Sequence, residues 1–300
     1  MIFLLNKTSS QNKERHTMLK QTFTLHTHNN ELHFDGRYPA REMIQKAQDL
    51  GFTTIGVTNH MIMHKNLTSF TQIQPMFFDD FKKAENTYQK HIEILQNLKS
   101  EFKINIKIGF EVDFFQQKEW RNYFEKMITR LPVDYLISGN HFLKNKDESF
   151  LCNIFHLKLL NPKPDAETLH ELTIHHFENI IAAIKSGYFS FIAHLDYCTI
   201  FGLGEDKRYD EYKYRILEAL KETHTPFEIN TSGYDRINRP HPDIWMIKEM
   251  AKDGGLVPVL ISDDSHFIEH IGRHFEQAEQ LLQELNYTNR FTLEMLKRPL

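Results

Sequence analysis

Short apolar runs alternate along this chain with longer stretches whose apolar residues fall three or four apart, the pattern of strands alternating with helices. Residues 23–25, 54–58, 104–110, 134–138, 191–193, 226–229 and 256–261 read as strands, seven in all. The stretches between them read as helices. Pro39 opens one over residues 40–50, which stops at Gly51. Asp79 or Asp80 caps a long one with Phe81, Ala84, Tyr88, Ile92, Leu95 and Leu98 on one face. Residues 118–131, 166–186, 210–223, 243–253 and 272–285 complete the set, and repeated strand–helix units predict a parallel sheet in an α/β fold.

What stands at the strand ends changes the picture. Of 18 histidines, His26, His28, His33, His60, His141, His194 and His266 lie just after apolar runs, and Glu111 and Asp264 occupy equivalent places. His26-x-His28 and Asp264-x-His266 put both side chains of each pair on one face of extended chain. A single His-x-His is more often plain packing. Glu111 is harder to explain that way, because a carboxylate closing an apolar strand is costly to bury without a cation. Six strand ends carrying such residues predict a closed β/α barrel, since only closure brings distant strand ends together, with the chemistry at its C-terminal mouth. Nine ligands suit three ions better than one. Mixed imidazole and carboxylate favours zinc, iron or manganese.

Composition narrows the class. The 36 basic and 40 acidic residues leave a net charge of −4, so nothing in the bulk charge attracts nucleic acid or anionic membrane. The two cysteines, Cys152 and Cys198, make neither a disulfide framework nor a zinc ribbon, which predicts a cytoplasmic protein. No apolar run approaches the roughly 20 residues of a membrane helix. Residues 1–17 read as an N-terminal extension, or Met18 as the start, with 18–300 as a single domain.

The segments Leu25-His-Thr-His28, Val57-Thr-Asn-His60, Gly109-Phe-Glu-Val-Asp113, Ser138-Gly-Asn-His141, Ala193-His-Leu-Asp196 and Ser262-Asp-Asp-Ser-His266 together resemble the PHP (polymerase and histidinol phosphatase) superfamily. Glu228-Ile-Asn-Thr-Ser-Gly233 and His194-Leu-Asp-Tyr…Phe201-Gly are similar to its histidinol-phosphate phosphatase branch. The resemblance spans residues 20–285. It implies a distorted seven-stranded (β/α)7 TIM-like barrel with a trinuclear centre. By position, His26, His28, Glu111 and Asp264 would hold the first ion, and His33, His60 and His266 the second. His141 and His194 would hold the third, with Glu111 bridging it to the first. Two positions depart from the pattern: Asn59 stands where the family commonly has Asp, and Ala193 where it has Gly. The residues after His141 lack the aromatic-rich run of many histidinol-phosphate phosphatases.

The implied reaction is hydrolysis of a phosphate monoester, L-histidinol phosphate in that branch, by metal-activated water. Glu111, Asp264 and His266 would serve it as ligands. Arg236 and Arg239, just past the sixth strand, are the candidates to hold the phosphate, and His241 and Asp196 the candidates to supply the proton. A small-molecule partner follows, with monomer and homodimer both open. The competing readings are a PHP phosphoesterase of nucleotides or oligonucleotides, a PHP-type protein-tyrosine phosphatase, and a non-catalytic metal-binding protein. His64, His91, His156, His170, His175, His176, His224, His270 and His274 read as surface residues, Phe34 and Tyr38 as lining of the mouth, and residues 61–78 and 143–165 as lid loops.

Overall fold

Parallel strands joined through helices curl into a nearly closed barrel in the computed structural model, which describes residues 21–64 and 80–298. The predicted extension and most of the first lid loop lie outside the described residues. In chain order the strands are β1 (Phe23–Thr24), β2 (Thr54–Val57), β3 (His60–Met61), β4 (Asn105–Val112), β5 (Tyr135–Ser138), β6 (Phe142–Lys144), β7 (Leu151–Asn153), β8 (Phe191–Ile192), β9 (Phe227–Asn230) and β10 (Val259–Ser262). Neighbours run β1-β2-β4-β5-β8-β9-β10, all parallel, so each of the seven expected strands has its counterpart. Short β3 extends the second position of the ring and sets His60 opposite Glu111.

The helices are α1 (Ala40–Asp49), α2 (Phe81–Leu98), α3 (Lys118–Ile128), α4 (Ala166–Ser186), α5 (Asp210–Thr223), α6 (Ser232–Ile237), α7 (Ile244–Met250) and α8 (Phe275–Glu284). Asp80 caps α2 by accepting from the amides of Lys82 and Lys83. Gly187 ends α4 at φ 75°, a left-handed turn that glycine adopts without strain. The antiparallel β6–β7 hairpin occupies the second expected lid segment, and sequence periodicity does not predict it.

Inside the ring, Phe23, Leu25, Tyr135, Ile137, Phe191, Ala193 and Leu260 pack on one another, with Phe291 from the C-terminal segment closing the bottom. The Tyr135 hydroxyl crosses from β5 to donate to the carbonyl of Leu25 at 2.6 Å. That crossing needs glycine on β2, because a Cβ on Gly56 would fall 2.0 Å from the hydroxyl. The seam between β1 and β10 is joined by the Gln21 side chain, which donates to the Ile261 carbonyl and accepts from its amide. Above it, the His28 amide donates to the Ser265 carbonyl at 2.8 Å. Segments 240 residues apart in the chain therefore meet along this seam.

Candidate metal centre

The strands deliver their last residues to one point. His26 and His28 follow β1, His60 lies on β3, Glu111 on β4, His141 follows β5, His194 follows β8, and Asp264 and His266 follow β10. Local turns aim them. Asn140, at φ 57°, swings the chain so that His141 faces inward, and Asp264 itself sits at φ 48°, a conformation asparagine and aspartate tolerate better than most residues. Gly139 is required by the same crowding, since a Cβ there would stand 2.6 Å from Glu111 Oε1 and 2.5 Å from His141 Cε1.

Glu111 is the hub. Its Oε2 lies 3.0 Å from His60 Nδ1, 3.4 Å from His26 Nε2 and 3.5 Å from His28 Nε2. Its Oε1 lies 2.9 Å from His194 Nε2 and 3.4 Å from His141 Nε2. Asp264 Oδ1 faces His28 at 3.4 Å and His26 at 3.6 Å, and His266 Nδ1 at 3.5 Å. Asp35 Oδ2 lies 3.1 Å from both His60 Nε2 and His266 Nε2.

Eight of the nine expected ligands are thus brought together. His33 is not among them: its side chain is exposed, its backbone turns at φ 69°, and it joins no ligand-spaced group among the described residues. Asp35 stands where His33 was expected, grouped with His28, His60 and His266. The preference for histidine at strand ends hid it, although the aspartate-glycine step held a signal. A Cβ on Gly36 would lie 2.4 Å from the Asn29 backbone, so the loop folds back onto the segment just after His28.

The donor set fits divalent ions. His26 Nε2, both ring nitrogens of His28, His60 Nδ1, Asp35 Oδ1 and Glu111 Oε2 are buried with no hydrogen-bond partner, which buried polar atoms avoid unless something else binds them. Burial opposes charge on all three carboxylates, yet the surrounding imidazoles outweigh it and hold Asp35, Glu111 and Asp264 well below the usual carboxylate range. Burial lowers His28 to about 3, with His266 beside it adding to the effect. At His26, burial is outweighed by Glu228, Glu111 and Asp264, so its pKa rises. Metal ligation needs the carboxylates ionised and the imidazoles neutral, so an ion bound at His26 would displace a proton.

A second ring of side chains orients the first. Glu228 on β9, buried inside the mouth, accepts from His26 Nδ1 at 3.0 Å, from the His194 amide and from Asn230. Asp113 accepts from His141 Nδ1 at 3.2 Å. Such partners fix which ring nitrogen faces the ion. A buried carboxylate within an apolar strand marks Glu228 in the sequence just as it marks Glu111. Asn59, the departure from the family pattern, pairs with Asn29, its Oδ1 accepting from the Asn29 amide at 2.8 Å.

The two arginines part company. Arg236 lines a cavity of about 500 Å³ over the cluster, beside Asp35, His60, His141, Tyr197, Asp264 and His266. Arg239 is not among the residues lining that cavity; it donates to Asp196 at 2.9 Å and to Thr199 Oγ1 at 2.9 Å. Asp196 also holds His241 at 2.6 Å, and neither residue lines the cavity. Arg37 and Arg273 line it, unmarked by any motif. Phe34 and Tyr38 do not: Phe34 is buried against Tyr88 and His91, and the Tyr38 hydroxyl faces Glu269. His64, His91 and His176, expected at the surface, are buried.

The PHP domain family matches residues 24–232, a span holding most of these ligands. The chain belongs to the PHP domain family. A Thermotoga maritima protein named "Probable histidinol-phosphatase" is 31% identical over 117 residues, 39% of this chain and 50% of that protein, so the match spans half of its length. A Clostridium acetobutylicum protein of the same name is 22% identical over 216 residues, 66% of this chain and 80% of that one. Among solved structures, the histidinol phosphate phosphatase of Lactococcus lactis, complexed with zinc, L-histidinol and phosphate, aligns at TM-score 0.62 and 18% identity, over 89% of this chain and 94% of that one. This likeness establishes that the two share a fold. The PHP barrel is therefore present, and no described helix is long and apolar enough to cross a membrane.

Proposed function

We propose that this PHP protein is a metal-dependent phosphomonoesterase that hydrolyses L-histidinol phosphate to L-histidinol and phosphate. The observation that carries it is the convergence of six imidazoles and three carboxylates, of which Asp35, His60, His141, Asp264 and His266 line one cavity that has Arg236 in its wall. The names of the Thermotoga and Clostridium relatives and the ligands of the Lactococcus structure support the substrate. His26, His28, Glu111 and Asp264 would hold one ion, Asp35, His60 and His266 a second, and His141, His194 and Glu111 a third. Zinc, manganese and iron all suit this donor set.

Bound there, such ions supply Lewis-acid charge for the phosphoryl oxygens and a nucleophilic water at neutral pH. The protein supplies position. Arg236, fixed by its bond to the Tyr197 hydroxyl at 3.1 Å, offers its remaining donors to the phosphate. Glu228 and Asp113 keep the imidazoles of His26 and His141 aimed inward. Arg239, Asp196 and His241 act as a brace beneath Tyr197, outside the path of the reaction.

Phosphate release from L-histidinol phosphate by zinc- or manganese-reconstituted protein tests this, against other phosphomonoesters and a short oligonucleotide. The expected kcat/KM is about 10⁴ M⁻¹s⁻¹ or higher and well above the panel. Activity strongest on nucleotides would move the protein to another phosphoesterase branch. Stoichiometric metal without phosphate release from any ester would make it a metal-binding protein.

A further inference from the structure

Among the described residues, two of the exposed large apolar side chains flank the cavity: Phe155, 49% exposed, and Phe267, 38% exposed. They arrive from different sides of the mouth. Phe155 lies on the turn Ile154–Leu159 that follows β7, and Phe267 directly follows the ligand His266. Each is braced from behind. Phe155 meets Tyr197 edge-on at 6.0 Å and carries the Arg236 guanidinium at 6.0 Å. Phe267 packs on His270 at 4.9 Å and carries the Arg37 guanidinium at 6.0 Å. Both are also close to the centre: Tyr197 touches the rings of His194 at 4.4 Å and His141 at 5.0 Å, and Phe267 is the neighbour of a ligand in the chain.

Water gains nothing from two open phenyl rings, whereas a pocket for a small molecule is lined by aromatic side chains with a few convergent polar groups. We propose that Phe155 and Phe267 are a specificity-determining aromatic clamp, receiving a planar ring on the alcohol portion of the substrate while the phosphate rests at the centre and Arg236. The inference rests on the phosphomonoesterase reading above and adds the substrate class: phosphate esters of ring-bearing amino alcohols, selected over ringless ones. Stacked and edge-on ring contacts supply the preference; Phe267 adjoins the ligand His266 in the chain, and Phe155 reaches His141 and His194 through the ring of Tyr197.

The test uses L-histidinol phosphate, L-phenylalaninol phosphate and L-alaninol phosphate, which share the phosphorylated amino alcohol and differ in the ring. The wild-type protein is expected to favour both ring-bearing esters. F155A and F267A are each expected to cut the histidinol-to-alaninol ratio of kcat/KM about tenfold, through KM and not kcat. F155Y and F267Y should keep the ratio, and F155L should lose it. The ratio is insensitive to the fraction of protein that is folded. Calorimetric binding of L-histidinol and L-alaninol to the metal-loaded protein should show the same loss without turnover. A wild-type ratio near one, or a ratio unmoved by either alanine variant, overturns the clamp alone. No phosphate released from any of the three esters overturns the histidinol-phosphatase reading, and the clamp with it.

Discussion

Glu111 meets imidazoles from several strands with both oxygens, and Glu228 does for His26 from behind what Glu111 does in front. Neutralising the rear partner should loosen the ligand without removing it: Glu228→Gln is expected to weaken metal binding about 10- to 100-fold, read by chelator competition. The two arginines should separate by assay. Arg236→Ala is expected to raise KM for the phosphate ester and lower kcat/KM about tenfold to a hundredfold, with the melting temperature little changed. Arg239→Ala should instead destabilise the fold by about 3 kcal/mol, because it strips a partner from the buried Asp196. Burial alone would raise the Asp196 carboxyl, but His241 and Arg239 outweigh it and hold it down to about 2. A folded-state value below the ordinary one means that its contribution is full above about pH 4 and disappears as the pH falls through about 2. In chelated protein, the stability lost on Asp196→Asn should therefore shrink by about 2 kcal/mol between pH 5 and pH 2, measured by urea unfolding.

At the scale of elements, the centre depends on how strands end. Gly139 leaves no room for a side chain between Glu111 and His141. Gly139→Ala is expected to keep the barrel, seen in an unchanged far-ultraviolet spectrum, while bound metal falls below the wild-type stoichiometry. Helices with a long apolar face, such as α2 and α5, are legible in the sequence because spacing of three and four dominates them. Element α6 is not, since Ser232 and Gly233 are buried by their position under His241 and Arg239 and not by being apolar. The β6–β7 hairpin escapes detection for a related reason. Its inward Lys144 is neutralised by Glu148 and carried over the Phe115 ring, so a buried cation breaks the expected alternation.

For the whole molecule, the repeat of strand and helix made the barrel legible, and the repeat of imidazole and carboxylate at strand ends made eight of the clustered candidate ligands legible. Asp35, the ninth, belongs to a loop, where no period exists to mark it. Because the candidate ligands come from nearly every strand, ions bound at the mouth would tie the ring together. Removing them with a chelator is expected to cost about 3 kcal/mol or more at metal concentrations near 100 times Kd, a fall of several degrees in Tm. Readdition of zinc or manganese should restore it.

The meeting of β1 with β10 carries a consequence for the life of the protein. His26 and His28 are made early and Asp264 and His266 late, yet they face each other across one seam. A growing polypeptide on the ribosome therefore holds His26 and His28 without these partners for most of its synthesis. The complete set of side chains exists only when the last strand has docked, so metal taken up as proposed above would enter after that strand is made.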